Sequence, residues 1–319
     1  MENNIIHPNS TMEQREHNMT EEPLLIIEHV DDSADRIVGV GPVTVRSRGR
    51  WVWIPVAIVA AALIVAASVW GYWYYRRYVS LGVSVSHTAR QDVERLRMQT
   101  LEEVAPEVVV SHDSILGVAF DLYELRGLRG EVTMVEPDTA DVSVIFYSRC
   151  ADYGKDGTPI GSLVSSGTTL SDDDNRLGYC GMVGGRTVIG VSRHEDVRDF
   201  CVEAGGSFFR QFILVSNGEL PPRFHLHGKV ERRALGLMAD GRLCYVQSCA
   251  PEVMTAFADA LREYGFVDAI YITGGTDYCY YRLLGADGST WERHDLGDAA
   301  LYPHRKSKGR VPWMVFRAR

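Results

Sequence analysis

The stretch from Trp51 to Tyr75 constrains this chain more than any other, because it contains no charged residue. A helix of about 25 residues, rising about 1.5 Å per residue, can cross a hydrocarbon core of about 30 Å. Trp51 and Trp53 lie at one end and a Trp/Tyr cluster lies at the other, which is typical of aromatic belts at membrane interfaces. We therefore predict one transmembrane helix over 51–75, acting as a signal anchor.

The basic residues around this segment predict its orientation. Arg46, Arg48 and Arg50 precede it, whereas Arg76 and Arg77 follow it. The slight excess on the N-terminal side favours a cytoplasmic N-terminus. A single-pass membrane protein with a periplasmic or otherwise extracytoplasmic C-terminal domain is the expected arrangement.

The remaining chain divides by composition into a tail, a linker and one domain. Residues 1–50 are polar and acidic, which predicts a disordered cytoplasmic tail. A helical pattern over 88–104 predicts either a stalk within the linker 76–105 or a first helix of the domain. Residues 106–319 are enough for one sizeable domain.

Charge and cysteine content narrow the function classes. The formal net charge is −9 and no basic patch stands out, so a nucleic-acid partner is not expected. Six cysteines, all after the predicted span, leave disulfides and free buried thiols equally open. Their spacing includes no Cys-x-x-Cys pair, which argues against a zinc site of that kind.

The domain alternates many short β-like runs with few helices, and we predict an α+β fold with a mixed β-sheet. The clearest helix is predicted over 251–264, from Pro251 in its first turn to Gly265 as its stop. A buried strand over 267–272 follows and leads into Gly274 and Gly275. A polar turn directly after a buried strand is a common place for function.

Three stretches carry the candidate chemistry: 203–218 with Gly205-Gly206, 232–236, and 269–278 with Gly274-Gly275. In this order they resemble the phosphodiester glycosidase family, in which N-acetylglucosamine-1-phosphodiester alpha-N-acetylglucosaminidases are found. The resemblance extends over roughly 114–316 and looks closest to Bacteroidales-type members. It implies a hydrolase of glycosyl phosphodiesters in envelope or dietary glycans.

The candidate site residues are chosen for the chemistry of this reaction, and Asp277 and Glu203 are the carboxylates nearest to the two Gly-Gly turns. We predict Asp277 as the base or nucleophile, with Glu203 as second choice, and Arg210 and Arg232 as phosphate ligands. The further substrate-binding residues are predicted to be Gly205, Gly206, Asn217, Gly274, Gly275 and Tyr278. No metal ligand is assigned, and a divalent metal cofactor is left open. His225 and His227, and the run Asp172 to Asp174, are interpreted as exposed residues rather than ligands.

Two positions depart from the family pattern. Ala204 stands where the broader family has Asn, and Thr273 stands where it has Asp. A carboxylate or amide at these positions meets the sugar phosphate or a metal in that pattern. The alternative function is therefore a catalytically degraded module of the same fold that binds a glycan or a protein.

Overall fold

The structure is a computed structural model that describes residues 50–75, 82–98, 104–154, 157–224, 226–274, 279–284, 291–296 and 311–318. The predicted tail, 1–50, lies almost entirely outside these residues. Contacts divide the chain into two compact units, 1–60 and 61–319. The sheets described below belong to the second unit.

The first helix, α1, runs from Arg50 to Tyr74 and contains Pro55 near its start. Proline is tolerated in the first turns because the N–H groups there have no partner within the helix. The segment Ile54–Tyr74 has a mean hydropathy of 2.3 and is not buried against other described residues. By length and composition it can cross a membrane, as the sequence predicts.

Helix α2 (Ala89–Met98) begins with a capping box. The Gln91 amide donates to the Thr88 hydroxyl, and the Thr88 amide donates to the Gln91 side-chain oxygen. Val93 and Leu96 are buried against helix α3 (Asp196–Glu203) and a β-sheet, so α2 packs into the folded domain. Val104 is not helical, and residues 99–103 lie outside the described part.

In the part of the chain that the structure describes, sixteen strands form three antiparallel sheets. The first sheet has the order β1-β2-β12-β11-β13-β10, the second β15-β14-β4-β16-β3, and the third β6-β5-β9-β7-β8. The strand bounds are β1 (Glu107–Ile115), β2 (Val118–Arg126), β3 (Leu128–Thr133), β4 (Val144–Arg149), β5 (Leu163–Ser165), β6 (Thr168–Ser171), β7 (Gly178–Val183), β8 (Arg186–Val191), β9 (Ser207–Gln211), β10 (Ile213–Val215), β11 (Arg233–Met238), β12 (Leu243–Ser248), β13 (Phe266–Ile272), β14 (Cys279–Leu284), β15 (Trp291–Leu296) and β16 (Trp313–Ala318).

The hydrophobic core lies between these sheets. One face of the first sheet packs against the second and third sheets through residues such as Tyr123, Phe146 and Phe209. Its other face is covered by helix α4 (Met254–Tyr264), with Phe257 and Leu261 fully buried. This α+β architecture with mostly antiparallel strands confirms the predicted fold class.

The predicted start of the clearest helix needs correction. Helix α4 begins at Met254 rather than at Pro251, because Glu252 and Val230 exchange backbone hydrogen bonds in an isolated β-bridge. Its end at Gly265, in a left-handed conformation at φ 112°, is as predicted. Between β1 and β2 the chain reverses at Leu116 and Gly117, both of which have a positive φ.

All six cysteines are free thiols, and Cys249 is the exposed one. The other five are buried in the domain. The sequence leaves disulfides and free thiols equally open, and the structure has free thiols.

Candidate functional site

A row of polar side chains crosses four neighbouring strands of the first sheet. His112 on β1 pairs with Asp121 on β2, Asp121 pairs with Gln247 on β12, and Gln247 pairs with Arg233 on β11. Directly opposite residues of antiparallel strands point to the same face of a sheet. These four residues, called the polar row below, thus lie side by side on the face that packs against the second sheet.

Arg233 is the buried end of the polar row, with 0% of its side chain exposed. Its guanidinium donates to Gln247 Oε1 at 3.1 Å, to Glu231 Oε2 at 3.2 Å and to the Thr273 carbonyl oxygen at 3.4 Å. A buried charge is costly unless it is paired and hydrogen-bonded. These contacts offset the cost of burying the Arg233 charge, and they connect the start of β11 to the end of β13.

The second sheet meets the polar row at Gln247. The Cys279 thiol, at the start of β14, lies 3.9 Å from Gln247 Oε1. Burial raises the pKa of Cys279 to about 12, although the nearby Arg233 charge opposes the rise. Cys279 is therefore a neutral thiol that packs against the polar row, and we do not expect it to act as a nucleophile.

On the opposite face of the first sheet, Arg232 is also buried, at 2% exposure. Its Nε donates to the Glu252 carbonyl at 2.9 Å and its Nη2 to the Gly228 carbonyl at 2.7 Å. Burial raises the pKa of the Tyr271 hydroxyl, and the positive charge of Arg232 opposes that rise. Within the described ranges, Arg232 forms no ion pair with a carboxylate.

Gly274 approaches this tyrosine so closely that no larger residue fits. Its amide donates to the Tyr271 hydroxyl at 3.0 Å. A Cβ atom at Gly274 would lie 2.5 Å from that hydroxyl oxygen and 2.6 Å from the Glu231 carbonyl oxygen. The structure thus brings together two predicted site residues, Arg232 and Gly274, through Tyr271.

The other predicted glycine pair lies elsewhere, at the start of β9 in the third sheet. Gly205 has a φ of 67°, and a Cβ at Gly206 would lie 2.5 Å from the Met182 carbonyl oxygen. Glu203 is exposed at the end of α3. These contacts describe a tight helix-to-strand turn.

Arg210 has contacts that suit a structural role. Its Nη1 donates to the carbonyls of Arg176, Leu177 and Ser192, and its Nη2 donates to the His194 carbonyl and to Glu195 at 3.0 Å. The terminal nitrogens are therefore engaged with the protein itself. Phosphate binding by Arg210 stays a prediction that these contacts do not favour.

Asn217 lies at the opposite end of β13 from Gly274. It occupies the turn after β10 with a φ of 52°, and its amide donates to Asp268 at 3.1 Å. The neighbouring Gly218 amide donates to the Val267 carbonyl. At about 3.3 Å per residue, the seven steps from Val267 to Gly274 span roughly 23 Å, so Asn217 and Gly274 are not brought together.

Three predicted residues lie outside the described part of the chain: Gly275, Asp277 and Tyr278. In the sequence they connect Gly274 to Cys279. Thr273, next to Gly274, accepts a hydrogen bond from Arg233 through its carbonyl, and the Cys279 thiol lies next to Gln247 of the polar row. Asp277 as base or nucleophile therefore stays a prediction. His225 is likewise outside the described residues, and His227 is exposed as predicted.

Sequence reasoning missed His112, Asp121, Gln247 and Arg233 as a group. Each of them is an ordinary residue of a short strand, and only the register of four strands places them together. One available signal was the position of Arg233 and Gln247 within strands that are otherwise largely apolar.

No protein-family model matches the chain, and no curated protein matches it. Among solved structures, the catalytic domain of zebrafish N-acetylglucosamine-1-phosphodiester alpha-N-acetylglucosaminidase, auto-inhibited by its pro-peptide, is similar with a TM-score of 0.47 and 12% identity. That similarity covers 74% of this chain and 95% of the zebrafish domain. A hypothetical protein from Synechocystis is similar with a TM-score of 0.48 and 10% identity, over 66% of this chain and 62% of that protein. Because both TM-scores are below 0.5, neither similarity supports a statement about the fold or activity of this chain.

Proposed function

We propose that this protein is a membrane-anchored hydrolase of glycosyl phosphodiesters, with its site where β11 begins and β13 ends. One observation carries the proposal: Arg232 is buried beside Gly274, and its described hydrogen bonds are to neutral backbone carbonyls. A buried guanidinium without a carboxylate partner costs several kcal/mol. An anionic group of a substrate offsets that cost when it binds, and a phosphodiester supplies such a group.

The ordered motifs of the sequence give this anion its chemical class. The segments at 204–209, 232–236 and 273–275 resemble those of phosphodiester glycosidases. Arg232 belongs to the second segment and Gly274 to the third, and the two meet through the Tyr271 hydroxyl.

The reaction follows from the leaving group. Glycoside hydrolysis ordinarily needs one carboxyl group as acid and another as base or nucleophile. A phosphate leaving group needs little protonation, so positive charge near it replaces much of the general acid. Arg232 serves this role in the proposal, and Asp277 acts as base or nucleophile. Arg233 positions the end of β13 by holding the Thr273 carbonyl.

The alternative is a glycan- or protein-binding module with a degraded site. Thr273 stands at the position of an acidic residue in the family pattern, and its hydroxyl is buried without a hydrogen-bond partner among the described residues. Ala204 likewise lacks the polar group of the pattern. A ligand that binds without being cleaved fits these departures.

The deciding experiment measures release of N-acetylglucosamine from an N-acetylglucosaminyl phosphodiester by the full chain in detergent. We expect turnover that falls at least about 100-fold in Asp277→Ala and in Arg232→Gln, while Arg232→Lys keeps part of it. Asp174→Ala, at an exposed turn, is the matched carboxylate control and keeps full activity. Equal turnover by Asp277→Ala contradicts the assigned site, and binding of the substrate analogue without turnover favours the alternative.

The membrane anchor belongs to the same proposal. The apolar helix α1 supports it by length and composition. The full chain is expected to stay in the membrane pellet after extraction with alkaline carbonate, whereas a variant lacking residues 51–75 is released. Release of both proteins contradicts anchoring by this helix.

A further inference from the structure

At the exposed end of the polar row, three residues of different chemistry meet. His112 Nδ1 lies 3.0 Å from Asp121 Oδ1, and the Cys249 sulfur lies 3.8 Å from the same imidazole nitrogen. All three potential ligand atoms lie within 4.8 Å of one another. We propose that His112, Asp121 and Cys249 form a binding site for a thiophilic divalent cation, Zn²⁺ being the ion that fits best.

The donor set supports this choice of ion. Imidazole nitrogen, carboxylate oxygen and thiolate sulfur are the three ligand types that Zn²⁺ takes in proteins. A thiolate ligand disfavours Mg²⁺ and Ca²⁺, which prefer all-oxygen surroundings. The set therefore selects zinc over the hard cations that are common in phosphate chemistry.

The distances agree with a tetrahedral centre. Zinc bonds of about 2.0–2.1 Å to nitrogen and oxygen and about 2.3 Å to sulfur place tetrahedral ligands roughly 3.3–3.6 Å apart. The observed nitrogen–oxygen separation of 3.0 Å and nitrogen–sulfur separation of 3.8 Å each differ from that range by a few tenths of an ångström. The third separation, between the Asp121 oxygen and the Cys249 sulfur, is within 4.8 Å, so binding the ion requires the side chains to rotate towards it.

The backbone holds all three positions firmly. His112 and Asp121 are directly paired residues of β1 and β2, which fixes their side chains on one face. Cys249 follows β12 immediately, and its amide donates to the Ala119 carbonyl at 2.9 Å. A site built on two paired strands and on the residue that follows a third needs little reorganisation of the backbone when the metal binds.

The site is open to solvent. The His112 side chain is 64% exposed and that of Asp121 is 33% exposed, and Cys249 is exposed. An ion can therefore enter directly. Three protein ligands leave the fourth tetrahedral position for water or another ligand, as in zinc sites that do chemistry rather than in closed structural ones.

This inference does not depend on the proposed hydrolysis of glycosyl phosphodiesters, since neither Arg232 nor Asp277 takes part in it. His112 and Asp121 also form an exposed cross-strand pair, which stabilises the sheet slightly and needs no metal. The thiol beside that pair is what distinguishes the cluster from an ordinary pair on the surface of a sheet.

The test uses the full chain in detergent with a phosphine reductant and no other metal. Isothermal titration with Zn²⁺ is expected to show one site, and Co²⁺ is expected to give a thiolate-to-cobalt charge-transfer band together with the visible bands of a tetrahedral ion. Cys249→Ser is expected to abolish the charge-transfer band. His112→Gln and Asp121→Asn are each expected to weaken Zn²⁺ binding at least about tenfold.

His227→Gln changes an exposed histidine outside the cluster and serves as the matched control, with unchanged affinity expected. Each variant is first checked by circular dichroism, and the surface positions of these residues favour correct folding. Absence of Zn²⁺ binding overturns the proposal. Binding that is unchanged by Cys249→Ser, or a preference for Mg²⁺ over Zn²⁺, overturns it as well.

Discussion

The hydroxyl of Tyr179 donates to the Asp92 carboxylate at 2.5 Å, and this contact fastens helix α2 to the third sheet. Tyr179 and Asp92 are each 1% exposed. Replacing Tyr179 with Phe removes the donor but keeps the ring packed on Phe208. A hydrogen bond to a charged group contributes about 1.5–3 kcal/mol, so we expect a loss of this size in the free energy of unfolding at pH 7.5.

The pH dependence of this loss provides a sharper test. Burial raises the pKa of Asp92 above its ordinary value of 3.8, and the hydrogen bond from Tyr179 opposes the rise. Because the folded pKa is raised, the stability contributed by Asp92 is present below pH 3.8 and is lost as the pH rises through the folded pKa. Tyr179→Phe raises that pKa further, so its cost must grow as the pH increases from about 4 to 8.

Urea unfolding of the full chain in detergent, followed by tryptophan fluorescence at several pH values, measures this cost. Tyr264→Phe is the matched control, since the Tyr264 ring packs between Phe120 and Phe266 while its hydroxyl makes no hydrogen bond within the described part of the chain. An equal loss in both variants refutes the reasoning. So does a cost for Tyr179→Phe that shrinks as the pH rises.

Three further predictions concern other contacts. Gly205→Ala is expected to lower the free energy of unfolding by about 1 kcal/mol, because the φ of 67° is unfavourable for alanine while the space around it is open. Gly206→Ala is expected to lower it by about 2–3 kcal/mol, because its Cβ would lie 2.5 Å from a backbone oxygen. Thermal unfolding compares the two, and equal costs contradict the packing argument. The hydrogen bond from Arg126 holds the pKa of Glu124 below its ordinary value of 4.5. The stability that ionised Glu124 contributes is therefore present above pH 4.5 and is lost as the pH falls through the folded pKa. Glu124→Gln is expected to flatten the acid limb of a curve of unfolding free energy against pH. Gly274→Ala is expected to lower both glycosidase turnover and substrate affinity, because its Cβ would lie 2.5 Å from a tyrosine hydroxyl, and full activity in this variant contradicts a site at that strand end.

Local patterns predicted the individual elements well. The apolar helix α1, the core-facing pattern of α4 with its glycine stop, and the buried strand β13 all follow from hydrophobic periodicity and from the special backbone of glycine and proline. Where the start of α4 was wrong, a backbone bridge between Glu252 and Val230 outweighed the local preference of Pro251.

The candidate site was predicted only in part, because it depends on contacts between strands that are distant in sequence. Arg232 and Gly274 belong to motifs that can be recognised along the chain, and the structure brings them together through Tyr271. His112 and Asp121 belong to no motif, and they reach Gln247 and Arg233 through the pairing of β2 with β12. Arg210, in contrast, belongs to a motif but does not lie with these residues, and its terminal nitrogens donate to the protein's own carbonyls.

The orientation of the predicted membrane helix can be tested through Cys249, because the other five cysteines are buried free thiols. Disulfides therefore do not indicate the compartment, but the exposed thiol reports it directly. With the N-terminus cytoplasmic, a membrane-impermeant maleimide with a zinc chelator must label the chain in right-side-out vesicles but not in sealed inside-out vesicles until detergent is added. Cys249→Ser removes the label in both and is the control. Labelling of inside-out vesicles alone reverses the orientation, and an envelope glycan is then excluded as the substrate, because the domain faces the cytosol.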